Sequence, residues 1–446
     1  MTPERKSLFS AMIGNMVEWY DFALYTAATP LVFAPLFFPP GQSSFANQFA
    51  AIVVFASGHV MRPAGGVLFG HMGDCRGHMS ALRWTLLLIG SVTVLIGLLP
   101  TYAQAGVLAP LCLLVMRLVQ GLAAGGEWAG SVLVIGGAAP GGRTRHVMMA
   151  LSQSGVALGM VLGTAALWLA HALPAAQFTG WGWRVPFLVT LPAVIVGVRL
   201  RAGLTGPPMD RPICQTKAHA IDHTTGQVIA DGTSRAMDRR GGQAAVARLP
   251  IWRLMRTSPG PVLCGIGLRL AENGGVYLIT VFGLVYGRAC GVPDSRLLAG
   301  LTAGLVADAC AMPLFARLVT RLGAARIYLG GLVALAVLSV PFFMLIRSGT
   351  TPCVVAAFVL ALGLGHAPTI AVEPLLLERL FPPALRYTGI AVAHEGGAVL
   401  AGGVSPVAAA GLYHMAGNVN AVAVYLVGLV ACSGLALLAC RGTGQE

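Results

Sequence analysis

Long apolar stretches separated by short polar ones run through the whole chain. Counting runs near the roughly 20 residues that a helix needs to cross a bilayer gives twelve. They fall over about residues 12–38, 46–70, 80–100, 106–138, 147–171 and 184–201, then 260–287, 297–318, 325–346, 351–377, 386–413 and 419–440. The longest polar stretch, 202–258, is rich in charge, glycine and proline and has neither helical nor strand periodicity, so it reads as a linker. The predicted architecture is an all-α membrane protein of twelve transmembrane helices in two six-helix halves, 1–201 and 259–446, joined by a cytoplasmic loop.

Composition agrees with that reading. Of 446 residues, 56% are hydrophobic and only 10% charged, with a mean hydropathy of +0.76, too apolar for a soluble domain. A net charge of +13 would suit a nucleic-acid partner, but no basic face with interleaved aromatics is present. The charges sit in short loops. Of 29 Lys and Arg, only Arg184, Arg288, Arg296 and Arg347 fall in the odd-numbered connections, and Arg62, Arg117 and Arg269 lie inside spans. The remaining 22 lie at the two termini and in the even-numbered connections, which places both termini in the cytoplasm by the positive-inside rule.

Several chemistries are disfavoured. Lys6 and Lys217 are the only lysines, and neither ends a phosphate-cradling Gly-x-x-x-x-Gly-Lys-Ser/Thr loop. The nine cysteines form no Cys-x-x-Cys pair and, lying mostly within spans, are read as small buried hydrophobes. No nucleophile and base pairing is visible, so neither an enzyme, a metal nor a cofactor is expected. The basic start, with Arg5 and Lys6, precedes a span-length run without a cleavage site and is expected to stay as the first helix.

The stretch GHMGDCRGH after the second run has a weak echo in ARLVTRLGAAR after the eighth, with Gly77 corresponding to Gly323 and Asp74 to Thr320. An internal repeat of this kind fits a carrier whose substrate site lies between two halves. Gly155, Gly159 and Gly163, four apart, and the pairs Gly396–Gly397 and Gly402–Gly403 are spacings that let helices approach closely.

EWYDF at 18–22, RPAGGVLFGHMGD at 62–74, RLVQGLAAGGEW at 117–128, WGWRVPF at 181–187 and RYTG at 386–389 resemble the metabolite:proton symporter family of the major facilitator superfamily. The motifs recur in order over nearly the whole chain. RLAENGGVYLITVF at 269–282 and MAGNVNAVAVYLVG at 415–428 look most like the shikimate-transporter type. The resemblance implies proton-coupled symport of a small polar metabolite, a carboxylate such as shikimate, across the inner membrane. Uptake of a zwitterionic osmolyte such as proline or betaine, an uncoupled facilitator and a transporter-derived sensor stay open. The partners expected are a small-molecule substrate, protons and the lipid bilayer, with the chain acting as a monomer.

Arg117 matches a superfamily position that resembles a proton-coupling arginine facing an acid on the first span. Asp21 and Arg117 therefore form either a proton switch or a static ion pair between two helices. Glu127, ten residues on and about 15 Å further along a helix, is a coupling or gating candidate in another layer, paired with Arg62 or facing water. Arg269, Glu272, Asn273 and Tyr277 share one helix face, suited to a hydroxylated carboxylate or to internal neutralisation. Asp308, Glu373 and His394 are further polar positions in apolar runs. Glu395 beside His394, with Tyr25 and Gln153, completes the expected substrate set. Gly70, Asp74, Arg76 and Gly77 resemble the superfamily's cytoplasmic gate loop. Cys75, His78 and Met79 stand where that loop has basic residues, Thr320 and Gly137 where acids are usual, as do Thr205 and Gly206. A weakened latch is expected.

Overall fold

The computed structural model describes residues 3–40, 44–138, 141–202 and 250–443. Among these the chain is helical and forms no strand. The first half contains α1 (residues 3–37), α2 (Ser44–Arg76), α3 (His78–Leu98), α4 (Leu108–Ala138), α5 (Gly142–His171) and α6 (Ala175–Ala202). The second contains α7 (Pro259–Ala289), α8 (Asp294–Leu322), α9 (Ala324–Arg347), α10 (Thr351–Leu380), α11 (Pro383–Ala416) and α12 (Asn420–Thr443). Ten of the described helices are long and apolar enough to cross a membrane. The two others, α1 and α2, carry Glu18, Asp21 and Arg62 and bring the number to twelve.

The halves repeat one another in how their helices pair. In the first, α1 packs on α5, α2 on α4 and α3 on α6; in the second, α7 packs on α11, α8 on α10 and α9 on α12. The seam follows the same symmetry, because α2 meets α11 and α8 meets α5. The weak sequence echo also has a backbone counterpart. Gly77 and Gly323 precede α3 and α9 with φ of 96° and 81°, a region open to glycine and costly for other residues.

The glycine spacings set the closest approaches. A Cβ at Gly155, Gly159 or Gly163 would run into the carbonyls of Met12, Met16 and Tyr20, so α5 lies directly on α1. On α11, Gly397 and Gly402 leave room for the Arg269 and Asn273 side chains of α7, whereas Gly403 faces open space. Near one face, Leu8 and Ala11 of the first helix border the same core as Ala436, Leu437 and Cys440 of the last, and that side is called the terminal face.

Two expectations change. Residues 203–249 of the linker, with Thr205 and Gly206, lie outside the described residues, but its last part is the helix Pro250–Thr257. Leu254 is the anchor of that helix, buried in the terminal-face core, while Trp252 and Met255 are exposed. The cysteines are less buried than expected: Cys310 and Cys432 are exposed, and Cys112, Cys264, Cys290, Cys353 and Cys440 are intermediate. Lipid rather than protein covers an outward side chain in a membrane span, so an apolar residue there needs no protein burial.

Candidate functional site

Three residues apart on α1, Glu18 and Asp21 share a helix face, and each is only 4% exposed. Asp21 Oδ1 accepts hydrogen bonds from Thr93 Oγ1 of α3 and Gln120 Nε2 of α4, both at 2.7 Å. Its Oδ2 lies 3.8 Å from Arg117 Nη1. Arg117 has other holds: it donates to Gln120 Oε1 at 3.2 Å and to the Phe55 carbonyl at 3.3 Å. Its guanidinium also sits 4.5 Å from the Tyr25 ring centre and 4.9 Å from that of Phe55. The shortest contacts of Asp21 are therefore to neutral groups, and the cation stays in place by stacking. A narrow cleft opens beside this group, walled by Glu18, Asp21, His59, Arg62, Arg117 and Gln120, among others.

Arg62 ties the halves together. It donates to Glu18 Oε1 at 2.5 Å and to Glu395 Oε2, on α11, at 2.7 Å. The other oxygen of Glu395 meets His394 Nδ1 at 2.9 Å, and the His394 ring stacks on Trp128 of α4 with centroids 4.0 Å apart. Trp128 Nε1 donates to Gln153 Oε1 at 3.1 Å. Tyr277 meets Phe22 edge-on across the seam, at 6.0 Å. In the second half, Arg269 pairs with Glu272 and with Glu373 at 2.9 Å, while His366 lies 3.1 Å from both Glu272 and Asp308. His366 reaches them because the helix widens into a π-turn over Ala361–His366, which re-aims the residue that closes it. Arg269 Nε, Asn273 Oδ1, Tyr25 Oη and Glu18 Oε2 are buried without a hydrogen-bond partner among the described residues.

The structure thus brings Asp21, Arg117 and Tyr25 into one group and Glu395 and Gln153 into the adjoining one. Arg269 and Glu272 do neutralise each other, but not alone. Glu127 departs from both of its expected settings. It is fully buried and paired with Arg201 of α6, with Thr85 Oγ1 donating to it at 2.5 Å, so it faces no water. Arg62 is already held by two other acids. Sequence spacing fixed the layer of Glu127 but could not show which neighbouring helix supplied the cation. Thr93, Gln120 and His366 carried no sequence assignment. Gln120 alone had a usable signal, lying three residues from Arg117 on the same face.

At the terminal face Asp74 docks on the start of α11. Its Oδ1 accepts from the Tyr387 amide at 3.2 Å, and its Oδ2 accepts from the Thr388 amide at 3.1 Å and hydroxyl at 2.6 Å. Amides in a first helical turn have no partner within the helix, so a carboxylate fits there. Gly70 and Gly73 let α2 pass against Thr388 and the Tyr387 ring. Tyr387 Oη also reaches the Gly126 carbonyl at 2.6 Å, and Arg145 pairs with Glu378 across the seam. Arg76 is exposed, and Thr320 bonds only its own helix, to the Arg317 carbonyl at 2.8 Å. Asp74 thus holds α11 largely through backbone donors, and the Arg145–Glu378 pair joins the same two halves although Gly137 and Thr320 carry no acid. Asp74→Ala removes a charge-assisted cluster in which each bond contributes about 1.5–3 kcal/mol. Amide hydrogen exchange over 386–391 is then expected to quicken by at least about tenfold, and unchanged exchange would take Asp74 out of the latch.

Two repeated six-helix bundles with a buried polar network at their seam define a membrane carrier of the two-half kind. The Major Facilitator Superfamily profile matches residues 11–406, and the chain belongs to that superfamily as a multi-pass transporter. It is 31% identical to the shikimate transporter of Escherichia coli K12, over 95% of this chain and 91% of that one. It is 29% identical to the proline/betaine transporter of the same strain, over 97% of this chain and 82% of the relative. Among solved structures, the proton:xylose symporter XylE superposes with a TM-score of 0.74 at 15% identity, covering 98% of this chain and 94% of that one, which is a likeness of fold.

Proposed function

We propose that the protein is a proton-coupled symporter of the inner membrane, with both termini cytoplasmic, that carries a small carboxylate such as shikimate inward. The observation that carries this reading is Asp21: a buried acid at the wall of a cleft, held by Thr93 and Gln120 with Arg117 at 3.8 Å. Since Arg117 keeps its stacking and its bonds to Gln120 and Phe55, a proton on Asp21 removes one attraction without releasing the arginine from its place. Alternating access then follows from rocking of the two halves about the seam. Arg269 Nε and Asn273 Oδ1 support the substrate role of α7, because each is a buried group with hydrogen-bonding capacity to spare. The remaining substrate positions are assigned to Glu272 and Tyr277 on the same helix, to Glu395 on α11, and to Tyr25 and Gln153 of the first half, which sit beside Arg117 and Trp128. Glu127 acts from its own layer, through Arg201, on how α6 sits against α3 and α4.

A second reading is uptake of a zwitterionic osmolyte. It is favoured by Glu18 Oε2, an unpartnered carboxylate oxygen on a residue of the cleft wall, which suits a cationic nitrogen. Uptake of labelled shikimate into proteoliposomes, with and without an inward proton gradient, separates the two. Gradient-driven accumulation is the expected result. Accumulation of proline or betaine in its place would select the second reading, and entry that ignores the gradient for every compound, citrate and 2-oxoglutarate included, would defeat both.

A further inference from the structure

The second half holds a group of ionisable side chains that the Asp21 switch does not use. Asp308 of α8, Glu272 of α7 and Glu373 of α10 bring three negative charges, against one positive charge on Arg269. His366 has a carboxylate oxygen 3.1 Å from each of its ring nitrogens, and with a hydrogen on both nitrogens the ring counts as a second cation. One negative charge is left over.

Its place is visible in the hydrogen bonds. Both oxygens of Glu272 are engaged, one by Arg269 and one by His366, and Asp308 Oδ1 is held by His366. Glu373 Oε2 accepts from Arg269 Nη1 at 2.9 Å, but its Oε1 is buried with no donor among the described residues, on a side chain that is 0% exposed. Other groups facing it bring no further cation: Tyr328 of α9 donates to the Leu268 carbonyl, and on α11 His394 is bonded to Glu395, which is already held by Arg62. From α4 the Trp128 ring stands 6.0 Å from the Arg269 guanidinium, and Arg145 of α5 is taken up by Glu378. A bare carboxylate oxygen in such surroundings is far costlier than a neutral hydroxyl there.

We infer that Glu373 is a second proton-binding residue of this carrier, seated in the second half and separate from Asp21. The inference rests on the reading of the chain as a proton-coupled symporter and deepens it. The proton comes from water and forms an O–H bond at Oε1; on release it returns to water and leaves the carboxylate. Glu272 and Glu373 share one nitrogen of Arg269, so the proton decides which of them holds the guanidinium. With Glu373 neutral, Arg269 is freer to take a substrate carboxylate.

The test is infrared difference spectroscopy between acidic and alkaline pH on the purified full chain in lipid nanodiscs, reading the C=O band of protonated carboxyl groups. The wild-type spectrum is expected to contain a band that persists in Asp21→Asn and disappears in Glu373→Gln. A persisting band that survives Glu373→Gln, or no band left once Asp21 is changed, overturns the inference. Should Glu373→Gln fail to fold, Glu373→Asp serves instead: a shifted band supports the assignment and an unmoved one overturns it. If Asp21→Asn removes no band while Glu373→Gln does, the Asp21 switch falls and the second site stands.

Discussion

An Asp21→Asn carrier exchanges substrate across the bilayer but does not accumulate it when an inward proton gradient is imposed. Asparagine keeps the size of the side chain and can still bond to Thr93 and Gln120, so the packing of α1 against α3 and α4 survives. What it loses is the exchangeable proton. One pH unit across the membrane is worth about 1.4 kcal/mol, or roughly tenfold accumulation per coupled proton. A gradient of about two units therefore drives roughly 100-fold accumulation in the unmodified carrier for one coupled proton and none in the variant. Counterflow of labelled substrate against unlabelled, measured in the same vesicles, separates lost coupling from lost protein. Accumulation at the unmodified level would show that Asp21 plays no part in coupling.

Replacing Arg62 by glutamine is expected to do more harm to the folded state than any other single change at the seam. Glu18 and Glu395 approach through this one guanidinium, at 2.5 and 2.7 Å, and both are almost wholly buried. Removing one partner of a buried ion pair typically costs about 3–5 kcal/mol, because the other charge stays behind without compensation. Here two acids are left. The expected result is a lower unfolding temperature in detergent together with faster amide exchange in α11, and partial recovery when Glu18→Gln and Glu395→Gln are added. An Arg62→Gln protein as stable as the parent would mean that the bridge contributes nothing to holding the halves together.

How far these features were readable from the chain depends on whether a contact is local. The twelve runs, the α5 glycines and the correspondence of Gly77 with Gly323 all follow from spacing within one helix or one turn, and the structure has each where the pattern put it. Asp21 with Arg117 came from family resemblance rather than spacing, since 1.5 Å per residue along a helix gives depth but not neighbours. The same limit explains Glu127, for which Arg62 and water were both open and Arg201 of α6 proved to be the partner. Arg62 and Glu395 are 333 positions apart in sequence, and nothing in either local motif names the other. His366 lay hidden in a glycine-rich apolar stretch whose π-turn has no period to detect. Pro250–Thr257 was missed because eight residues at the end of a polar segment are too few for a periodicity to stand out.

The docking of Asp74 on α11 has a consequence for how this loop can change over time. One side of the contact is a side chain, but the other includes the main-chain amides of Tyr387 and Thr388. Every residue except proline supplies such an amide. Mutational drift therefore has little purchase on the receiving side, and positions 75, 78 and 79 can lose their basic character while Asp74 keeps its amide donors.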